Sequence, residues 1–136
     1  MRFIVGYEST PSGIAALKLA KQHAVVWKAE VDIVCSVSRD EPIRHSRLIE
    51  EEAWLETEIH AFFSDTDIKY TVSLTTDNID EGEQIVRFAR RKKGDVIFIG
   101  VKKRSRVGKM LTGSTLQYVV LNAHCPVMTV KHEEGN

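Results

Sequence analysis

Short apolar runs alternate along this chain with longer stretches of helical periodicity, and few folds accommodate that alternation. Phe3-Ile4-Val5, Val31-Asp32-Ile33-Val34-Cys35-Ser36-Val37, Val96-Ile97-Phe98-Ile99 and Val127-Met128-Thr129-Val130 read as strands. Nearly continuous apolar runs belong to strands covered on both faces, the situation of a parallel sheet built from βα units. Ile68, Tyr70, Val72 and Leu74 instead alternate with polar residues, which predicts a half-exposed edge strand.

Four helices are expected between these five strands. Thr10 is placed to cap the first and Pro11 to open it, with Ala16, Leu19, Ala20 and Trp27 sharing a face up to about Lys28. Asp40 and Pro42 precede the second, whose apolar face carries Leu48, Leu55, Ile59 and Phe62. Its other side holds Glu50, Glu51, Glu56 and Glu58, a solvated surface, and Ser64-Asp65-Thr66-Asp67 breaks it. Asp80 with Glu83 forms a capping-box pattern for a third helix to Lys93, with Ile85, Val86 and Ala89 inward. Ser114 with Gln117 repeats that pattern for the fourth, with Leu116, Val119, Val120 and Ala123 inward. The expected fold is α/β: one domain over residues 1–136, an open parallel five-stranded sheet with helices on both faces.

Composition narrows the function. Lysine plus arginine and aspartate plus glutamate both total 19, which argues against a general nucleic-acid or membrane-surface binder. No apolar run approaches the roughly 20 residues that span a bilayer. The opening Met1-Arg2-Phe3-Ile4-Val5-Gly6 lacks the pattern of a signal peptide, so the cytoplasm is the expected compartment. Cys35 and Cys125 stand far apart in apolar stretches and read as reduced core thiols.

In open parallel sheets, ligands sit outside the carboxyl ends of the strands where strand order reverses. Two loops suit that position, Gly6 to Pro11 and Gly100 to Ser114. Gly113 would let a ligand approach the start of the last helix, whose first amides and Ser114 hydroxyl make a phosphate seat. Lys102, Lys103, Arg104, Arg106 and Lys109 would add positive charge around it. An equally good reading has Ser114 capping its own helix and the cations facing water. Gly108-Lys109 is not the end of a P-loop, because Met110 and Lys103 stand where that motif needs a hydroxyl and a glycine. No dinucleotide fingerprint follows the first strand, and no nucleophile elbow exists. The five histidines are scattered, with His124 beside Cys125 the nearest approach to a metal pair.

The run from Gly100 through Val101-Lys102-Lys103-Arg104-Ser105-Arg106 to Gly113-Ser114, then a helix and His124-Cys125-Pro126-Val127-Met128-Thr129-Val130, resembles the carboxyl-terminal pattern of the universal stress protein family. The opening Ile4-Val5-Gly6-Tyr7-Glu8-Ser9-Thr10-Pro11 is similar to that family's start. The resemblance implies the adenine-nucleotide α-hydrolase-like fold with strand order 3-2-1-4-5, dimeric through the last strand, Val127 to Val130. It further implies ATP or AMP as ligand, with Mg2+ as an optional companion. Gly100, Gly113, Ser114 and Thr115 would hold phosphates, Val37 would lie beside the adenine, and Tyr7, Glu8, Ser9, Thr10 and Pro11 would form the first loop of the site.

Nucleotide-binding members carry three glycines in this segment. Gly100 and Gly113 match two of them, while Lys103 replaces the third. Glu8 and Ser9 stand at the usual aspartate and glycine. Lys102 and Lys103 would then serve a phosphate through ammonium groups. The resemblance implies a stress-response module with little or no turnover, a slow ATPase at most, in which Glu8 is the carboxylate to test. The alternative is a dimeric stress-response interaction module that binds no nucleotide. Nucleic-acid binding by the Lys102–Lys109 cluster has no aromatic stacking platform beside it.

Overall fold

The computed structural model describes residues 1–36, 45–75, 79–101 and 113–132, with side chains in the second segment from residue 49. The elements are β1 (Arg2–Gly6), α1 (Pro11–Trp27), β2 (Glu30–Ser36), α2 (His45–Phe63), β3 (Tyr70–Thr75), α3 (Glu81–Arg91), β4 (Val96–Val101), α4 (Ser114–Asn122) and β5 (Val127–Lys131). All strand pairs are parallel, in the order β3-β2-β1-β4-β5. The expected α/β sheet and its edge strand β3 are therefore present. Asp40, Pro42 and the side chain of Leu48 lie outside what is described.

Side chains alternate across the sheet and feed two cores. Phe3 and Val5 of β1, Ile33 of β2 and Phe98 of β4 face one way. They pack against Ala16, Leu17, Ala20 and Ala24 of α1 and Leu55, Ile59 and Phe63 of α2. Ile4, Val34, Ile97 and Ile99 face the other way, onto Ile85, Val86, Phe88 and Ala89 of α3 and Val119 of α4. The alanine stripe of α1 brings that helix close to the sheet. Double coverage of this kind explains why the central strands carry almost no polar side chains.

Several expected details change. Trp27 shares the angular stripe of Ala16 and Ala20 but is 60% exposed. It is the last residue of α1, beside the left-handed turn at Lys28 (φ 54°), where the chain leaves the helix. Leu17 takes a buried place while Leu19 is only partly covered, and on α4 Val120 is exposed at the margin of a stripe centred on Val119.

Thr10 caps α1 as expected, its hydroxyl accepting from the Gly13 amide at 3.2 Å. Neither expected capping box forms. Asp80 makes no side-chain cap bond, and Glu83 pairs with Arg87 at 2.7 Å instead. The N-cap of α4 is Gly113, so Ser114 is already helical and its hydroxyl does not cap.

Candidate functional site

The sheet order puts β1 beside β4, while the chain leaves these strands toward opposite faces, to α1 and to α4. A crevice opens at such a reversal. Here it is lined by Gly6 and Glu8 after β1, Ser12 and Gly13 of α1, Glu81 and Ile85 of α3, Ile99 and Gly100 of β4, and Gly113 to Leu116 at the start of α4.

Two glycines in this cleft have different reasons to be glycine. A Cβ on Gly100 would lie 2.1 Å from the Ser12 carbonyl oxygen, so this position lets the first turn of α1 pack against β4. Gly113 has an ordinary φ of −75°, and a Cβ there would meet nothing within 4 Å among the described residues. Neither backbone conformation nor packing among those residues requires glycine at 113. Among the described residues, the space in front of it is open to the cleft.

The start of α4 supplies donors. The first amides of a helix have no intrahelical acceptors, and Gly113 offers no side chain to receive them. Its carbonyl accepts the first helical bond, from the Gln117 amide at 3.2 Å. The amides and the positive end of the helix dipole favour an anion, and Ser114 and Thr115 line the same wall.

The loop after β1 is fixed from the opposite side of the sheet. The Tyr7 hydroxyl donates to Glu58 Oε1 at 3.2 Å, and the Ser9 hydroxyl donates to the same oxygen at 3.2 Å. Burial, and then the charge of Glu58, push the Tyr7 phenol up to about 12, so it remains a donor through the neutral range. Glu58 therefore ties α2 to this loop rather than facing solvent with its neighbours. Its signal in sequence was only its spacing from Leu55 and Ile59; nothing local pointed to Tyr7, 51 residues away. Tyr7→Phe should destabilise the domain by about 1 kcal/mol, the ordinary net value of one hydrogen bond, read by urea denaturation. A change below about 0.3 kcal/mol would show that this tie does not hold the loop.

Of the residues expected at the site, Glu8, Gly100, Gly113, Ser114 and Thr115 line the cleft. Tyr7 and Ser9 bond to α2, Thr10 caps α1, and Pro11 is exposed at the first helical position. Val37, Lys102 and Lys103 lie outside the described residues, as do Arg104, Arg106 and Lys109. Sequence reasoning did not place Ser12, Glu81 or Leu116 at the site. Ser12 lies two residues after the Thr10 cap and Leu116 three after Gly113, whereas Glu81 enters from a helix the chain reaches much later.

Cys35 is buried near this end of β2 and free, and Cys125 is free and half-buried. Burial, followed by the charges of Glu58, Glu81 and Glu8, pushes the Cys35 thiol up to about 12, which suits an inert core thiol. Among the described residues no group of three or more His, Cys, Asp or Glu is arranged to hold a metal ion, and no helix is long and apolar enough to cross a membrane.

Comparison with known proteins agrees with this architecture. A family model described as the universal stress protein family matches residues 1–131. A universal stress protein of Mycolicibacterium smegmatis is 24% identical over 130 residues, covering 94% of this chain and 95% of that protein. Universal stress protein MJ0531 of Methanocaldococcus jannaschii is 44% identical over 48 residues, a match spanning 35% of this chain and 28% of that protein.

Among solved structures, a universal stress protein from Archaeoglobus fulgidus superposes with TM-score 0.73 at 23% identity, covering 94% of this chain and 96% of that one. The structure of an Archaeoglobus fulgidus universal stress protein in complex with dAMP gives TM-score 0.72 at 19% identity, with 94% of each chain covered. A family protein of Arabidopsis thaliana with AMP bound gives TM-score 0.70 at 14% identity, covering 98% of this chain and 92% of that one. At these identities the likeness concerns the fold.

Proposed function

This chain belongs to the universal stress protein family, and from that premise we propose that it binds an adenine nucleotide, ATP or AMP, in the cleft between β1 and β4. The observation that carries the reading is Gly113. It opens the uncapped first turn of α4 to the cleft, and no described neighbour requires its lack of a side chain. That is the geometry of a backbone that must come close to a phosphate.

In this reading Gly113, Ser114 and Thr115 hold the phosphates. Gly100 shapes the floor and Glu8 faces the ligand from the β1 side, while Val37 meets the base and Lys102 and Lys103 bring charge. Tyr7, Ser9, Thr10 and Pro11 act indirectly, by fixing the course of the loop that carries Glu8. The dAMP and AMP bound to the two structural relatives support an adenine nucleotide as the ligand. The protein acts as a stress-response module of the cytoplasm with little or no turnover, and Mg2+ accompanies the nucleotide when ATP is bound.

AMP at one hundred times its dissociation constant should stabilise the fold by about 2.7 kcal/mol, read as a rise in melting temperature. No heat and no thermal shift with AMP, cyclic AMP or ATP with Mg2+ would overturn the nucleotide reading. The alternative, an interaction module without nucleotide, would then stand.

A second reading concerns assembly and rests on β5. This strand closes one edge of the sheet, with Met128 at 36% exposure and Val130 half-covered. Unpaired backbone groups along such an edge invite a second copy, giving a homodimer through Val127 to Val130. Light scattering at micromolar concentration should give twice the 15.4 kDa chain mass. A mass of one chain would contradict it.

A further inference from the structure

We propose that Glu58 is a positioning residue for nucleotide binding, its carboxylate holding the β1 wall of the cleft in the shape that receives the ligand; this rests on the nucleotide reading of the same cleft. Glu58 itself is not among the residues that line the cleft. It stands on α2, which packs with α1 on the face of the sheet away from α3 and α4.

The chain after β1 alternates between these two sides. Gly6 and Glu8 line the cleft, whereas Tyr7 and Ser9 turn their hydroxyls to Glu58. Tyr7 donates to Oε1 at 3.2 Å, and Ser9 reaches Oε1 at 3.2 Å and Oε2 at 3.4 Å. One carboxylate therefore gathers the two residues that flank Glu8 in the chain. Glu58 is in turn held by its helix, since Leu55 and Ile59 beside it are buried in the core.

Backbone contacts carry this hold to the rest of the wall. The Tyr7 amide donates to the Val34 carbonyl at 2.9 Å, and the Thr10 amide to the Glu8 carbonyl at 2.8 Å. A Cβ on Gly13 would lie 1.9 Å from that Glu8 carbonyl oxygen, so the first turn of α1 rests directly on the loop. Ser12 and Gly13 line the cleft as well. A displacement of Tyr7 to Ser9 thus moves the whole β1 side of the cleft.

An anchored loop meets its ligand already ordered. A freed loop must be ordered at binding, and that cost is subtracted from the affinity. What the anchor needs is an acceptor at residue 58 rather than a charge. The two shorter bonds meet at Oε1, so the single amide oxygen of a glutamine suffices, whereas alanine offers no acceptor.

The test is calorimetric titration of the full chain with AMP, for the wild type and for Glu58→Ala, Glu58→Gln, Glu56→Ala and Arg2→Met, each with its urea denaturation curve. Glu58→Ala should weaken AMP binding about tenfold, while Glu58→Gln stays within about threefold of wild type. Tyr7→Phe combined with Ser9→Ala removes both donors and should reproduce the alanine result, which decides the matter if Glu58→Ala does not fold. Glu56→Ala removes a charge from the exposed side of the same helix, and Arg2→Met loosens the other end of the sheet. Both should bind AMP as the wild type does. Unchanged affinity in Glu58→Ala or the double variant, equal changes in Glu58→Ala and Glu58→Gln, or a matching loss in either control would overturn the positioning role while leaving nucleotide binding intact. A wild type that binds no AMP would overturn both.

Discussion

Gly100→Ala should lower the unfolding free energy by about 3 kcal/mol or more, a large share of the stability of a small domain. The added Cβ would be 2.1 Å from the Ser12 carbonyl oxygen and 2.6 Å from its carbonyl carbon. Both atoms are backbone in the first turn of α1, so no side chain can rotate away. Relief requires α1 to move off β4, and Ala16, Leu17 and Ala20 would lose their fit to the sheet.

Gly113→Ala is the informative contrast. Its φ of −75° suits alanine and no described atom lies near the new Cβ, so only the weaker N-cap preference is lost, about 1 kcal/mol. Urea denaturation of the two variants side by side measures the difference. If both lose the same stability, the assignment of one glycine to the fold and the other to the ligand is wrong.

Arg2→Met should cost about 2 kcal/mol, for reasons at the opposite end of the sheet. Asp32 lies in β2 at 2% exposure. Its Oδ2 accepts from Arg2 Nη1 at 2.6 Å and its Oδ1 from the Thr71 hydroxyl at 2.5 Å. The guanidinium also reaches Glu30 at 3.0 Å, and the hydrogen bond to Asp32, with its charge, raises the Arg2 pKa further. Arg2 therefore remains charged throughout any accessible pH.

Removing the arginine strands a buried carboxylate, a loss of about 3–5 kcal/mol where both partners are fully buried. Arg2 is 36% exposed, which lets water take over part of its role and lowers the figure. The double replacement Arg2→Met with Asp32→Leu should recover most of the loss, because the buried charge goes with its partner. A single-variant loss below about 0.5 kcal/mol, or a double variant no better than Arg2→Met, would show that the pair contributes little.

The sheet was legible because its strands are short and its central ones apolar and doubly covered, so each announced itself within three to seven residues. Helix faces were legible where a stripe continues over several turns, as with Ala16 and Ala20. Legibility failed at element ends. Trp27 fits the stripe and still faces water because the layer stops there; α4 has its N-cap one residue before the expected Ser114, at Gly113, and Asp80 stands at the N-cap of α3 without the expected side-chain bond.

The site was half legible for a related reason. Glu8, Gly100, Gly113, Ser114 and Thr115 sit at strand ends and a helix start, which local pattern marks well. Glu58 and Glu81 reach the site, or its supporting loop, through tertiary contacts over long chain separations. A glutamate among glutamates on an amphipathic helix carries no local sign of that. The buried Asp32 was likewise hidden inside an apolar strand, its partner Arg2 lying 30 residues away.

The central claim is that the uncapped start of α4 at Gly113 holds a nucleotide phosphate. Its most direct test is calorimetric titration of AMP onto the wild type and a Gly113→Val variant whose unfolding curve confirms an intact fold. One AMP per wild-type chain, with binding lost in the variant, is the predicted result. Equal binding by both chains would contradict the account, as would a wild type that takes up no AMP.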